Sequence, residues 1–251
     1  MNYKKGTIWK YFGLKQFGGL KMDTRLYDKE VNCPVCRNTF TTKKTRNRRL
    51  KVIKRHEDFF VEYEDINPIH YHVWVCPQCG YSATESEFYN ITKHEISSVK
   101  QEISSKWNKR SFGDARSLDD VERTYKLALA IATILGKSQG YVGGLCLKLA
   151  WTYREMGSSK EFTFLENAMA SYTKAYETEP MPLETIEEVP MIYLIGELNR
   201  KLGNFQRAIT WYGKVVDHSQ IKYYRHIKLL AREQWYLAKE AYNKKRKASP
   251  E

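Results

Sequence analysis

An α+β fold, in which a small metal-closed β module precedes an all-α domain of helical repeats, is what three features of the 251-residue sequence predict. Two Cys-x-x-Cys pairs, Cys33-Pro34-Val35-Cys36 and Cys76-Pro77-Gln78-Cys79, share one spacing and one proline position. Short alternating apolar runs, separated by turn residues, surround them between Leu26 and Thr84. Beyond Thr84 the apolar residues recur at helical spacing, punctuated by Gly136, Gly140, Gly157, Pro180, Pro190 and Gly203. The predicted segments are an extension at 1–22, a four-cysteine module at 23–84, a connecting helix within 85–116, a helical domain at 117–243 and a basic tail at 244–251.

Each Cys-x-x-Cys pair is a tight turn presenting two sulfurs, and two such turns face to face complete a four-thiolate shell. Cys33, Cys36, Cys76 and Cys79 are therefore the predicted ligands of a structural zinc ion. A redox Cys-x-x-Cys would precede a helix in a βαβ unit, and no such unit is visible. Both turns also resemble rubredoxin knuckles, which keeps iron and electron transfer as an alternative. A module of some sixty residues obtains about 3–5 kcal/mol from its core, whereas a structural zinc contributes about 10–16 kcal/mol. The metal is thus expected to decide whether the module folds.

Residues 1–22 carry five lysines and no acid, and the last eight carry four basic residues and one acid. These two short ends supply eight of the net +13 charges, so a high net charge alone does not imply nucleic acid. In the extension, Gly18-Gly19 ahead of Met22 is consistent with a translated ribosome-binding site and a true start at Met22. A basic aromatic arm and a disordered terminus are the other readings of that segment. Five cysteines, four in metal-type spacing and one left over, suit a reducing compartment, and the absence of a long apolar run argues against a membrane span. A cytoplasmic protein is expected.

Within the module, Tyr27–Val31 reads as a strand leading to the first cysteine turn, and Phe40 is placed to cover the site. Leu50–Arg55 reads as a half-buried strand and Asp58–Tyr63 as its neighbour. Ile69, Tyr71, Val73 and Val75 alternate with His70, His72 and Trp74 on a strand delivering Cys76. His70 and His72 are secondary ligand candidates, although four cysteines already fill the shell. The stretch Lys43–Arg55 holds eight positive charges, followed by Glu57, Asp58, Glu62, Glu64 and Asp65. Cross-strand pairing accounts for this pattern, and a phosphate-binding face is the alternative. No aromatic is interleaved to stack bases.

Thr84-Glu85-Ser86-Glu87 has the form of a capping box opening the connecting helix, which would run through Phe88 and Trp107 toward Arg110. Ser117 and Asp120 cap the next helix, to Leu135. Gly196, Gly203, Ala208 and Tyr212, and earlier Ala150, Tyr153, Gly157, Ala168, Tyr172, Ala175 and Pro180, form a recurring series of small and aromatic positions. The series resembles tetratricopeptide repeats across about 143–220, with a loop longer by about six residues in the first unit. Asn199, Val215 and Gln220 depart from the usual residues, and helices 118–135 and 219–243 would flank the repeats. The resemblance implies a peptide groove holding Leu147, Trp151, Arg154, Glu155, Tyr193, Glu197, Arg200 and Lys201. Packing is the alternative role of Trp151 and Tyr193, and Cys146 falls at a core position. Lys244–Lys247 would close the last helix as a solvated tail.

The segments LYDKEVNCPVC and INPIHYHVWVCPQCGYSA, from Leu26 onward, resemble an uncharacterised bacterial family, domain of unknown function 2225. Arg37 stands where that pattern more often has Gly. The family implies a cytoplasmic bacterial protein and no activity. A four-thiolate shell leaves no coordination position for chemistry, and no phosphate-cradling loop, nucleophile elbow or HExxH motif occurs. The expectation is a non-catalytic adaptor that binds a protein or peptide partner, with a nucleic-acid-binding regulator as the alternative.

Overall fold

The computed structural model describes residues 25–181, 183 and 186–248. The extension at 1–22, with its alternative start at Met22, lies outside these residues, as do the last three residues of the basic tail. The chain is α+β, a β region built of hairpins followed by a helical domain.

Three separate antiparallel hairpins make up the β region. Strand β1 (Leu26–Asn32) pairs with β2 (Thr39–Thr45), β3 (Val52–Arg55) with β4 (Val61–Tyr63), and β5 (Val73–Val75) with β6 (Ser82–Thr84). The first and third hairpins each carry a cysteine pair in their connection. Two-stranded hairpins are marginal in water on their own, so each needs tertiary support. The strand expected at Leu50–Arg55 forms, but Val52–Arg55 is exposed on both faces instead of half-buried. Asp58–Phe60 is not strand: it forms the tip between β3 and β4, closed by the His56 N–H donating to the Phe60 carbonyl at 2.8 Å. The 3-10 turn Pro68–Tyr71, capped by the Asn67 side chain, replaces the first half of the strand expected before Cys76.

Seven α-helices follow among the described residues: α1 (Lys93–Glu102), α2 (Leu118–Ile134), α3 (Gln139–Glu155), α4 (Lys160–Thr178), α5 (Glu188–Lys201), α6 (Phe205–Asp217) and α7 (Arg225–Ala248). The capping box expected at Thr84 is not used. The β5–β6 ladder claims the Thr84 backbone, its N–H and hydroxyl reach the Tyr141 hydroxyl at 3.1 and 3.4 Å, and Glu85 N–H extends the hairpin to His72 O at 2.9 Å. The box forms instead at Thr92 and Glu95, so the connecting segment holds a ten-residue helix and a 3-10 turn rather than one long helix. Ser117 and Asp120 cap α2 as expected. Lys244–Lys247 belong to the last turns of α7 and are not a separate tail.

The β region shares its cores with the helices. Val73 and Val75 pack with Val121, Tyr125 and Ala128 of α2, and the Tyr125 hydroxyl donates to Ile69 O at 2.7 Å. Arg116, largely buried, donates to the carbonyls of His70 (2.8 Å), Val73 (2.9 Å) and Phe112 (3.0 Å). Burial lowers its pKa to about 10, so it stays charged.

In the helical domain α3 pairs with α4 and α5 with α6, each pair closing where a glycine meets a tyrosine ring. A Cβ on Gly143 would lie 3.1 Å from the Tyr172 ring, and one on Gly196 would lie 3.0 Å from the Tyr212 ring. The six extra residues expected as a longer loop are helical instead. They extend the start of α4, so Tyr172 reaches two turns deeper along α3, to Gly143 rather than Ala150. Tyr212 is wholly buried and tied by its hydroxyl to Glu197 at 2.7 Å, so its ring has no room to give. Helix propensity alone favours Gly196→Ala by about 1 kcal/mol. The close approach reverses that, and Gly196→Ala is expected to lower stability by about 1 kcal/mol in denaturant unfolding.

Candidate functional site

Both cysteine turns are built alike. Arg37 N–H donates to Cys33 O at 3.0 Å and Cys33 N–H to Asn38 O at 2.9 Å; Gly80 N–H donates to Cys76 O and Cys76 N–H to Tyr81 O, both at 2.9 Å. Such a turn drives the residue after its second cysteine into the left-handed region, φ 75° at Gly80 and φ 66° at Arg37. Glycine adopts that backbone freely, whereas a residue with a Cβ loses about 1–2 kcal/mol. Backbone N–H groups also point at the sulfurs: those of Gln78 and Cys79 bond Cys76, that of Cys36 bonds Cys33 and that of Tyr81 bonds Cys79.

The two turns face one another with sulfurs interleaved. Cys33 Sγ lies 3.6 Å from Cys79 Sγ, Cys36 Sγ lies 3.6 Å from Cys76 Sγ, and all four are within 4.8 Å of each other. Disulfide sulfurs would be about 2.05 Å apart. A tetrahedral site with metal–sulfur bonds of about 2.3 Å spaces its sulfurs by about 3.8 Å. The four cysteines are positioned to hold a metal ion, and the donor set fits it. Hydrogen bonding to Cys76 pushes the Cys33 thiol up to about 12, and the bond from Cys33 draws Cys76 down to about 2. Cys33 also pushes the Cys79 thiol upward. Thiolates this close repel one another, a crowding that a cation relieves. Val31, Phe40, Trp74, Tyr81, Phe88 and Val99 wall the cluster, with Phe40 at the predicted place. Trp107 closes it from outside, its Nε1 donating to Pro77 O at 2.9 Å.

His70 and His72 take no part in this cluster. His70 bonds Glu155 at 2.6 Å, and His72 lies in a cleft between the β region and the helices. Cys146 is buried in a helical core.

Six of the eight residues expected to line a peptide groove meet the chain's own β region. The β3–β4 tip lies across them. The Asp58 carboxylate, wholly buried, accepts from Arg154 at 2.5 Å and faces Lys201 Nζ at 3.7 Å. Phe59 packs on Tyr193 with ring centroids 5.4 Å apart, and Phe60 packs on Trp151 at 5.7 Å and joins the core of Leu147. Asn67 and His70 bond Glu155 at 2.9 and 2.6 Å. Glu197 pairs with Arg200 at 2.8 Å. Part of the chain itself thus occupies the face expected to receive a peptide. Asp58 and Arg154 are separated by 96 residues in sequence, which left no local signal for the contact.

Burial raises the Asp58 carboxyl, but Arg154 and Lys201 outweigh it and hold the group below its usual range. A depressed carboxylate stabilises the folded state above its unfolded pKa of about 3.9, and that contribution is lost as pH falls through the folded value. Docking is not free of cost elsewhere. Phe59 sits at φ 67°, and Trp151 Nε1 and Tyr193 Oη are buried without a hydrogen-bond partner among the described residues. Each such feature costs about 1–3 kcal/mol.

Three of the eight basic residues in the stretch pair with acids. Lys43 meets Asp28 at 2.7 Å, Lys44 meets Glu85 at 2.6 Å and Lys51 meets Glu64 at 3.0 Å, while Arg46 lies over the Tyr27 ring. No helix among the described residues is long and apolar enough to cross a membrane.

Compared with known families, residues 26–238 match the family described as "Uncharacterized protein conserved in bacteria (DUF2225)", and the chain belongs to it. No curated protein and no solved structure matches the chain.

The two turns give opposite expectations at equivalent positions. Arg37→Gly is expected to raise stability by about 0.5–1 kcal/mol, by relieving left-handed backbone. Gly80→Ala is expected to lower it by about 3 kcal/mol, because its Cβ would also meet the Trp107 ring at 2.5 Å. Thermal unfolding of the metal-loaded variants checks both signs.

Proposed function

From membership of a family whose description carries no activity, we propose that the protein is a non-catalytic, zinc-stabilised adaptor. Its tetratricopeptide-like helix pairs take up an acidic–aromatic peptide segment of a protein partner. The zinc is structural: four thiolates leave no coordination position for a substrate, and the N–H groups aimed at the sulfurs favour the thiolate state. The observation that carries the peptide reading is the β3–β4 tip. Asp58, Phe59 and Phe60 occupy the place of a ligand and display the chemistry that suits it: a carboxylate for Arg154 and Lys201, and rings for Tyr193 and Trp151.

The tip is an imperfect occupant, with strained backbone at Phe59 and two orphaned polar atoms beneath it. A partner segment that satisfies Trp151 Nε1 and Tyr193 Oη, without a left-handed residue, competes from a favourable starting point.

Two measurements test this reading. Metal analysis of the purified chain is expected to give one zinc per molecule and a colourless protein; red protein with bound iron would replace the structural role with a redox one. For the groove, a labelled peptide of sequence His-Glu-Asp-Phe-Phe-Val-Glu-Tyr, copied from residues 56–63, is titrated into a variant with the tip emptied (Asp58→Ala, Phe59→Gly, Phe60→Ala). Binding with a Kd of about 100 μM or tighter is expected, at least tenfold weaker to the wild-type chain and lost on adding Arg154→Ala. Circular dichroism and zinc content verify that the variant folds. No binding to a folded, emptied groove rejects the proposal.

A further inference from the structure

A cleft of about 490 Å³ opens where the β region meets α3 and α4, well within the size range of small-molecule sites. His72, Thr84 and Ser86 form one wall, and Tyr141, Lys148 and Tyr172 the other. None of these residues belongs to the cysteine cluster or to the face filled by the hairpin tip.

The cleft is rich in hydrogen-bond donors. The Lys148 side chain is half-buried and makes no ion pair or hydrogen bond among the described residues. Desolvation lowers its pKa, and no acid offsets the burial. The acid on the cleft wall, Glu85, is paired with Lys44 at 2.6 Å. The Tyr141 hydroxyl already accepts from Thr84 N–H and from Thr84 Oγ1, which leaves its proton to donate. Burial, with Lys148 and Lys44 nearby, pushes His72 down to about 4, so its neutral ring can still donate one hydrogen bond.

Gly144 provides the room. A Cβ there would lie 3.5 Å from the Tyr172 hydroxyl and 3.8 Å from Lys148 Nζ. An ammonium and a phenol thus converge over bare helix backbone. An uncompensated ammonium held away from bulk water is costly unless a counter-charge arrives.

We infer that this cleft binds a small molecule carrying an oxyanion, phosphate or carboxylate, with Lys148 as its counter-ion and the Tyr141 and Tyr172 hydroxyls as hydrogen-bond donors. Because the two walls come from different halves of the chain, an occupant ties the β region to the helices and stabilises the whole fold.

The test is thermal unfolding of the zinc-loaded full chain at constant ionic strength, with inorganic phosphate in one arm, succinate in a second and sodium chloride as reference. At least one anion is expected to raise Tm by about 2–4 °C beyond chloride, in a concentration-dependent way, and the arm that responds separates phosphate from carboxylate. Lys148→Met, which keeps the stem and removes the unpaired charge, is expected to fold at least as well and to lose the response. Gly144→Leu fills the space while leaving Lys148 in place, and loses it too. The inference is overturned if neither anion acts beyond chloride, or if Lys148→Met responds like the wild type. Should Lys148→Met not fold, an undiminished response in Gly144→Leu overturns it equally.

Discussion

Four sulfurs, two from the tip of each of two hairpins, cross-link strands that could not persist alone. Each close sulfur pair takes one cysteine from each hairpin, Cys33 with Cys79 and Cys36 with Cys76. Neither hairpin can therefore leave without dismantling the site. The apolar wall around the cluster reaches into the helices, because Ile131 and the partly buried Leu135 pack in the same core. An ion at this point would hold the β region together and fix the surface against which α2 is laid.

That surface matters because the β region is also what fills the concave side of the helix pairs. The β3–β4 tip is anchored to α3 and α5 through Asp58, while Asn67 and His70 hold Glu155. The helices are thus covered on one side by the β region that carries the cysteine cluster.

The features legible in the sequence are those encoded over a few neighbouring residues. Cys-Pro-x-Cys turns and the Ser117 cap are local and stand where they were expected, and so does the meeting of Gly196 with Tyr212, whereas Tyr172 meets Gly143 further along its helix. Thr84 misled because one short segment satisfied two patterns, and the strand ladder outcompeted the helix cap for the same backbone groups. The filled groove was invisible for a different reason. Alternation and spacing identify which residues face inward, but they do not say whether the inward neighbour is another molecule or a hairpin from 96 positions earlier. The donor-rich cleft has the same origin, since His72, Tyr141 and Lys148 become neighbours only after both halves have folded. The signal that was available is Arg37: a residue with a side chain at a turn position filled by Gly80 in the other pair marks stored backbone strain.

Two of the attachments between the β region and the helices differ in kind. Arg116 grips three carbonyl oxygens and the Thr42 hydroxyl, a bond set with no proton to gain as the medium acidifies. Asp58 grips through a carboxylate that acid neutralises. Acid therefore strips the charge from the tip's anchor at Asp58, while the Arg116 bonds at the α2 seam face no partner that takes up a proton in the same range.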